Sequence, residues 1–281
     1  MPLFKCYEYL SKFGALKLYE RELESKISKF PPPKHVGIIM DGNRRLAKKL
    51  GENPEIGHNL GASKVHEVIN WCVSLKIPTI TLYAFSLENF NRPEKEVKVL
   101  MDLFEREFIE IADHPDVHKD KIRVSVIGIR EMLPKHVQKA INYAEDKTKD
   151  YSNYFVNFAI AYGGQQEIID SVKKIAKQVK NGEIEIEDIN VELISKNLYT
   201  SNLPSPNPDL IIRTSGEERI SNFLTWQSCY SELYFCETYW PTFRKVDLLR
   251  SIREYQKRER RYGKWGNEIL VYFFNFGNPY F

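Results

Sequence analysis

Six short apolar runs, at residues 36–40, 79–85, 122–127, 155–161, 209–214 and 232–235, recur along this chain with stretches of helical periodicity between them. The helical stretches lie near 61–75, 94–112, 134–149, 164–181, 187–198 and 246–261. Such an alternation predicts an α/β fold with a parallel sheet covered by helices, because parallel neighbours must be joined by crossovers long enough to hold a helix. In that architecture ligands gather beyond the carboxyl ends of the strands. Chemistry is therefore expected in the residues that directly follow each run.

Composition narrows the classes. At 281 residues, 42% apolar and 28% charged, the chain has enough core for one or two globular domains. Its 41 Lys+Arg against 38 Asp+Glu leave +3, too even a balance for a nucleic-acid partner. Cysteines 6, 72, 229 and 236 form no CxxC, which argues against zinc and for reduced thiols. No apolar run nears the roughly 20 residues that span a bilayer, and the start lacks a signal-peptide core, so a cytoplasmic location is expected. Residues 16–30 read as an amphipathic helix stopped by Pro31, Pro32 and Pro33, giving an N-terminal extension over residues 1–34. Its polar face mixes both charge signs, which favours docking on its own domain over lying on a membrane.

Three segments carry candidate chemistry. After the first run, Asp41-Gly42-Asn43-Arg44-Arg45 offers a carboxylate for Mg2+, a glycine for close approach and two guanidiniums at a helix start; a capped helix is the plainer reading. After the second, the loop Ser86 to Pro93 mixes polar side chains with Leu87 and Phe90, as a cover over a ligand polar at one end and greasy at the other would. Behind it Val97, Leu100, Met101, Phe104, Phe108 and Ile111 form a stripe that serves either a core or a tunnel wall. After the fifth, Arg213, Arg219 and Ser221 are spaced to meet on one anion, or else to pair with nearby acids. Glu232, at a strand start, is either a capping group or a second metal carboxylate. There is no P-loop, no GxGxxG at Gly163-Gly164, no DDxxD and no HExxH; the six histidines read mainly as surface or core residues.

In combination these segments resemble the cis-prenyltransferases from His35 to about Gly263, through HVGIIMDGNRR, GHNLG at 57–61, TLYAFSLENFNRP, NFAIAYGG and DLIIRTSGEERISNFLTWQSCYSELYF. The resemblance implies a six-stranded parallel sheet flanked by helices, a catalytic domain over 35–263 followed by a tail at 264–281, a homodimer, Mg2+ dependence and a hydrophobic tunnel. The implied reaction condenses an allylic prenyl diphosphate with isopentenyl diphosphate to a longer Z-configured product, whose lipid character would bring the enzyme to the membrane surface. Carried over by residue, Asp41 binds Mg2+ and assists departure of the allylic diphosphate. Gly42, Asn43, Arg44, Arg45 and His58 hold that diphosphate. Ser86, Glu88, Asn89, Phe90 and Arg92 belong to a mobile loop, with Ser86 and Asn89 near the reacting groups. Arg213, Arg219 and Ser221 bind isopentenyl diphosphate, Glu232 is a metal-linked carboxylate, and Arg261-Tyr262-Gly263 reaches the partner subunit's site.

The sequence departs from the family pattern at Arg44, where bacterial members carry glycine, at Phe90, where many carry tryptophan, at Glu218, a histidine in bacterial members, and at Pro54, usually a diphosphate-binding arginine. With that cation gone, binding should lean on the hydrocarbon tail, so long allylic substrates are expected to be preferred. The same change keeps open an unusual member that couples a long allylic diphosphate to another acceptor, such as dimethylallyl diphosphate. A non-catalytic partner subunit is disfavoured because Asp41, Arg213 and Arg219 are all present.

Overall fold

The structure is a computed structural model that describes residues 14–258. Arg261, Tyr262, Gly263 and the tail 264–281 lie outside the described residues. The strands are β1 (His35–Ile39), β2 (Thr79–Ser86), β3 (Ile122–Ile127), β4 (Tyr154–Tyr162), β5 (Leu210–Arg213) and β6 (Glu232–Phe235). They form one sheet in the order β3-β4-β2-β1-β5-β6, and every pairing is parallel. The central strand β1 is buried along its whole length, which is why it reads as an uninterrupted apolar run.

The helices are α1 (Ala15–Ile27), α2 (Asn43–Leu50), α3 (Pro54–Ser74), α4 (Glu94–Asp113), α5 (Pro115–Lys119), α6 (Lys135–Thr148), α7 (Gly164–Lys180), α8 (Val191–Lys196) and α9 (Lys245–Lys257). The helix expected from 61 begins at Pro54 instead: Asn53 precedes it, and proline at the first position has the φ and the missing amide that a helix start tolerates. The helix expected over 187–198 is shorter, a single 3-10 turn at Ile186–Asp188 followed by α8. α1 docks on α9. Its Leu23 and Ile27 are buried, Lys245 Nζ lies 2.5 Å from Glu24 Oε1, and Gln256 donates to the Ile27 carbonyl at 3.0 Å.

Two hydrophobic clusters divide the sheet's faces. The larger includes Ile38, Leu82, Phe85, Phe108 and Ile160; the smaller includes Ile39, Tyr83, Tyr162, Phe223 and Leu224. Near its end β2 loses register with β4: Tyr83 pairs Ala159 and Phe85 pairs Ile160, so Ala84 is the extra residue of a β-bulge. The bulge turns Tyr83 and Phe85, which would share a face in a regular strand, into opposite clusters.

From β1 the chain steps to β2 on one side, and only after β4 does it cross to β5 on the other. A crevice beyond the carboxyl ends of β1 and β5, where the direction of winding changes, is where an open parallel sheet binds its ligands. Among the described residues no helix is long and apolar enough to cross a membrane.

Candidate active site

At that switch point the end of β1 is tied to the end of β5. The Thr214 hydroxyl accepts the Asp41 amide at 2.9 Å and donates to the Asp41 carbonyl at 2.7 Å. Gly42, with φ +109°, then turns the chain into α2, a conformation that a side chain would strain. Asp41 is thereby held between two guanidiniums: Oδ2 accepts from Arg213 Nη2 at 2.7 Å, and Oδ1 lies 3.1 Å from Arg45 Nη2. Burial pushes its carboxyl up, but Arg213 and Arg45 outweigh burial and hold it below the ordinary value.

On the α2 side Asn43, Arg44 and Arg45 occupy the helix's first turn, whose amides have no helical partners. Arg45 reaches Glu217 at 2.8 Å and the Ser215 hydroxyl. His58, on α3, and Arg92 each lie 3.2 Å from Glu96 Oε1, and Arg44 Nε lies 3.5 Å from the same oxygen. Burial pushes His58 down, against the pull of Glu96. Glu96 thus gathers three cation-forming groups of the expected donor site, yet the sequence reading passed it over. Its signal was its position four residues after Arg92, the spacing at which opposite charges meet on a helical turn.

The cover segment folds as a 3-10 turn, Leu87–Asn91, capped reciprocally by Ser86 and Asn89; the Ser86 amide donates to Asn89 Oδ1 at 3.1 Å. Glu88 and Arg92 line the same cavity. Phe90 meets Phe85 edge-on at 4.9 Å and packs against the larger apolar cluster, outside the cavity lining that the sequence reading expected it to join.

On the β5 side Arg213, only 5% exposed at its side chain, donates through Nη1 to the Arg219 carbonyl at 2.5 Å and to Ser221 Oγ at 2.7 Å. Its Nε is buried and makes no hydrogen bond. Arg219 is exposed and pairs with Glu217 at 2.5 Å, and Glu218 is exposed.

Glu232 requires a correction. It opens β6 and pairs in register with Leu210, which pairs with Val36, so it sits at the amino edge of the sheet while Asp41 sits beyond the carboxyl edge. There it bonds to Arg258 at 2.5 Å. Within one chain it does not share a metal with Asp41, because parallel strands put every strand start on the edge away from the site.

One cavity of about 1100 Å³ joins these groups: Asp41, Arg44, Arg45, His58, Arg92 and Arg213 stand on its polar rim. Phe85, Leu100, Phe104, Phe108, Ile111 and Ile160 line its apolar reach, so much of the stripe on α4 forms tunnel wall. Met101 is buried in the core beside it. Pro54 also lines the cavity, at the first turn of α3. His66 and Glu107 also line the cavity and face each other at 3.5 Å, and Glu107 holds His66 above its ordinary pKa by hydrogen bonding.

The family model described as "Putative undecaprenyl diphosphate synthase" matches residues 39–263. The chain belongs to this family. Within this prenyltransferase family it is 64% identical over 258 residues to the tritrans,polycis-undecaprenyl-diphosphate synthase (geranylgeranyl-diphosphate specific) of Methanocaldococcus jannaschii, covering 92% of each chain. It is 52% identical over 248 residues to the synthase of the same name from Methanopyrus kandleri, covering 88% of this chain and 91% of that one. Among solved structures it is similar to lavandulyl diphosphate synthase from Lavandula x intermedia in complex with dimethylallyl diphosphate, with TM-score 0.79 and 35% identity over 83% of this chain and 99% of that one. It is also similar to a probable undecaprenyl diphosphate synthase from Campylobacter jejuni, with TM-score 0.68 and 32% identity over 84% and 100%.

Proposed function

We propose that this cis-prenyltransferase extends geranylgeranyl diphosphate with successive isopentenyl diphosphates to a long Z-configured prenyl diphosphate, releasing diphosphate at each step. The observation that carries the reading is Asp41, bridged between Arg45 and Arg213 where two sets of cations meet over a single cavity with an apolar reach. Arg44, Arg45, His58 and Arg92 would take the allylic diphosphate and send its tail along α4. Arg213, Arg219 and Ser221 would take the acceptor's diphosphate.

The allylic C–O bond breaks as negative charge gathers on the leaving diphosphate, and guanidiniums already in place stabilise that charge without reorganising. The acceptor's alkene then forms the new C–C bond to the allylic carbon, and a proton leaves the acceptor carbon chain for a diphosphate oxygen. Asp41 is a poor proton acceptor because two guanidiniums keep it ionised. The donor set fits Mg2+: one ionised carboxylate lining the cavity, to be completed by substrate phosphates, is how that ion is usually held. Bound by Asp41, Mg2+ would add Lewis-acid neutralisation of the leaving group.

The names of the archaeal relatives support geranylgeranyl diphosphate as the starter, and so does the long apolar reach. Identity of 64% to a synthase favours isopentenyl diphosphate as acceptor over the non-head-to-tail alternative. A homodimer belongs to the same reading, since edge strand β6 is only half-buried along its length and Tyr230 beside it is 73% exposed. So does a cytoplasmic enzyme held at the membrane surface by its lipid product. The test is product analysis with labelled isopentenyl or dimethylallyl diphosphate as acceptor and geranyl, farnesyl or geranylgeranyl diphosphate as starter, with and without EDTA. Long Z-products formed best from the C20 starter and only with Mg2+ are expected; a product built on dimethylallyl diphosphate alone would overturn the reading. Light scattering checks the dimer, and sedimentation with lipid vesicles checks the membrane association.

A further inference from the structure

The loop that carries Ser221 is strained and clamped from behind. Ser221, Asn222 and Leu224 have φ of +48°, +63° and +45°, a left-handed region that costs non-glycine residues energy and persists only where surroundings enforce it. The enforcement comes from α7 on the opposite side of the loop from Arg213. The Gly164 amide donates to the Asn222 carbonyl at 2.8 Å, and the Gln165 amide donates to Asn222 Oδ1 at 2.8 Å. Gly164 leaves this contact room, for a Cβ there would lie 2.4 Å from Thr225 Oγ1. The glycine pair that matched no nucleotide fingerprint is thus a seat for the loop.

One turn into α7, Glu167 is 1% exposed and does not line the cavity. It accepts from Gln227 Nε2 at 2.9 Å, from the Tyr199 amide at 2.7 Å and from the Tyr162 hydroxyl at 2.5 Å. Gln227 is the far anchor of the strained loop. Tyr162 packs on Tyr83 and Phe223, and the Tyr83 hydroxyl donates to the Ser221 carbonyl at 3.3 Å. A buried carboxyl costs free energy unless its partners compensate, and burial does push Glu167 above its ordinary pKa.

We propose that Glu167 is a positioning residue for the acceptor diphosphate: from outside the cavity, through Gln227 and with Gly164 seating Asn222, it holds the loop 219–227 so that Ser221 and the Arg219 carbonyl stay on Arg213, while Asn222 itself lines the cavity. The inference rests on the reading of Arg213, Arg219 and Ser221 as the acceptor site. Steady-state kinetics of the full chain with Mg2+, varying isopentenyl and geranylgeranyl diphosphate in turn, tests it. Glu167→Ala, which frees Gln227, and Gly164→Ala, whose Cβ would press on Thr225, should each raise KM for isopentenyl diphosphate about tenfold while KM for geranylgeranyl diphosphate and kcat stay within about twofold. Glu167→Gln keeps acceptors for Gln227 and Tyr199, so it should stay near wild type. An equal change for both substrates, no change, or failure of Glu167→Gln to rescue would overturn the proposal. If circular dichroism shows Glu167→Ala unfolded, Gly164→Ala alone decides. Arg219→Ala is the control: if it leaves KM for isopentenyl diphosphate unchanged, the acceptor-site reading itself fails. If it raises that KM and the clamp variants do not, only the positioning proposal fails.

Discussion

On the donor side of Asp41 the cations stand on helices or their caps and are prepaired with a carboxylate; on the acceptor side Arg213 rises from a strand end and its partners hang on a strained loop. Arg44, His58 and Arg92 all turn to Glu96, and substrate must draw them from it. Arg213 also holds a carboxylate, that of Asp41 at 2.7 Å, but the other end of its fork is fixed by a hydroxyl and a carbonyl of the loop. The difference teaches that one crevice can present its cations in two ways, gathered on one carboxylate from separate elements on one side and set by a strained loop on the other.

Removing what the two sides share should have the largest effect. Asp41→Ala should cut turnover about a thousandfold with the fold intact, because a carboxylate that acts as diphosphate departs is lost from both sets. Retention of more than a few per cent of activity at saturating Mg2+ would remove Asp41 from the chemistry. A stability effect of comparable size bounds the pH at which the sides can be compared. His35, fully buried with Nδ1 2.8 Å from the Ser205 carbonyl, is pushed down to about 4 by burial. The unfolded chain, with His near 6.5, binds this proton first, so about 3 kcal/mol should be lost as pH falls from about 6.5 to about 4. Urea unfolding against pH checks this, and His35→Gln should flatten the slope.

Next comes the split between sides. Arg219→Ala should raise KM for isopentenyl diphosphate about tenfold to a hundredfold and spare the allylic substrate, the worth of a charged hydrogen bond. Arg213→Ala should add a loss of kcat, because Arg213 also holds Asp41. The smallest effect is expected at Pro54. Geranylgeranyl diphosphate should be used better than geranyl diphosphate, and Pro54→Arg should narrow the gap by severalfold if the donor side lacks a cation. Arg44, half-exposed at the cavity rim, is the rival: if it already fills that place, the substitution changes little. Equal kcat/KM for both substrates in the wild type would remove the premise.

The strands were legible because buried β-branched runs have few alternative readings, and the switch point followed from looking after each strand. The first turns of α3 were not, since Gly57 and Gly61, which lie against Asn43 of α2, interrupt the apolar pattern. Arg213 was visible as a cation at a strand end, but its bond to Asp41 spans 172 positions and depends on β1 and β5 being neighbours. The distance of Glu232 from Asp41 within one chain was not legible, because identity and spacing carry no information about which edge of the sheet a strand start occupies.

The bulge at Ala84 has a consequence for how such an enzyme can change. Had β2 run regularly, Tyr83 and Phe85 would share a face, and any substitution that reshaped the tunnel would also disturb the prop beneath Ser221. The extra residue puts them in separate clusters two positions apart, so the tail and the acceptor answer to different codons. Product length can then drift through Phe85 while acceptor affinity, resting on Tyr83, stays put; with Ala84 deleted the two would be neighbours in a regular strand and still face opposite ways.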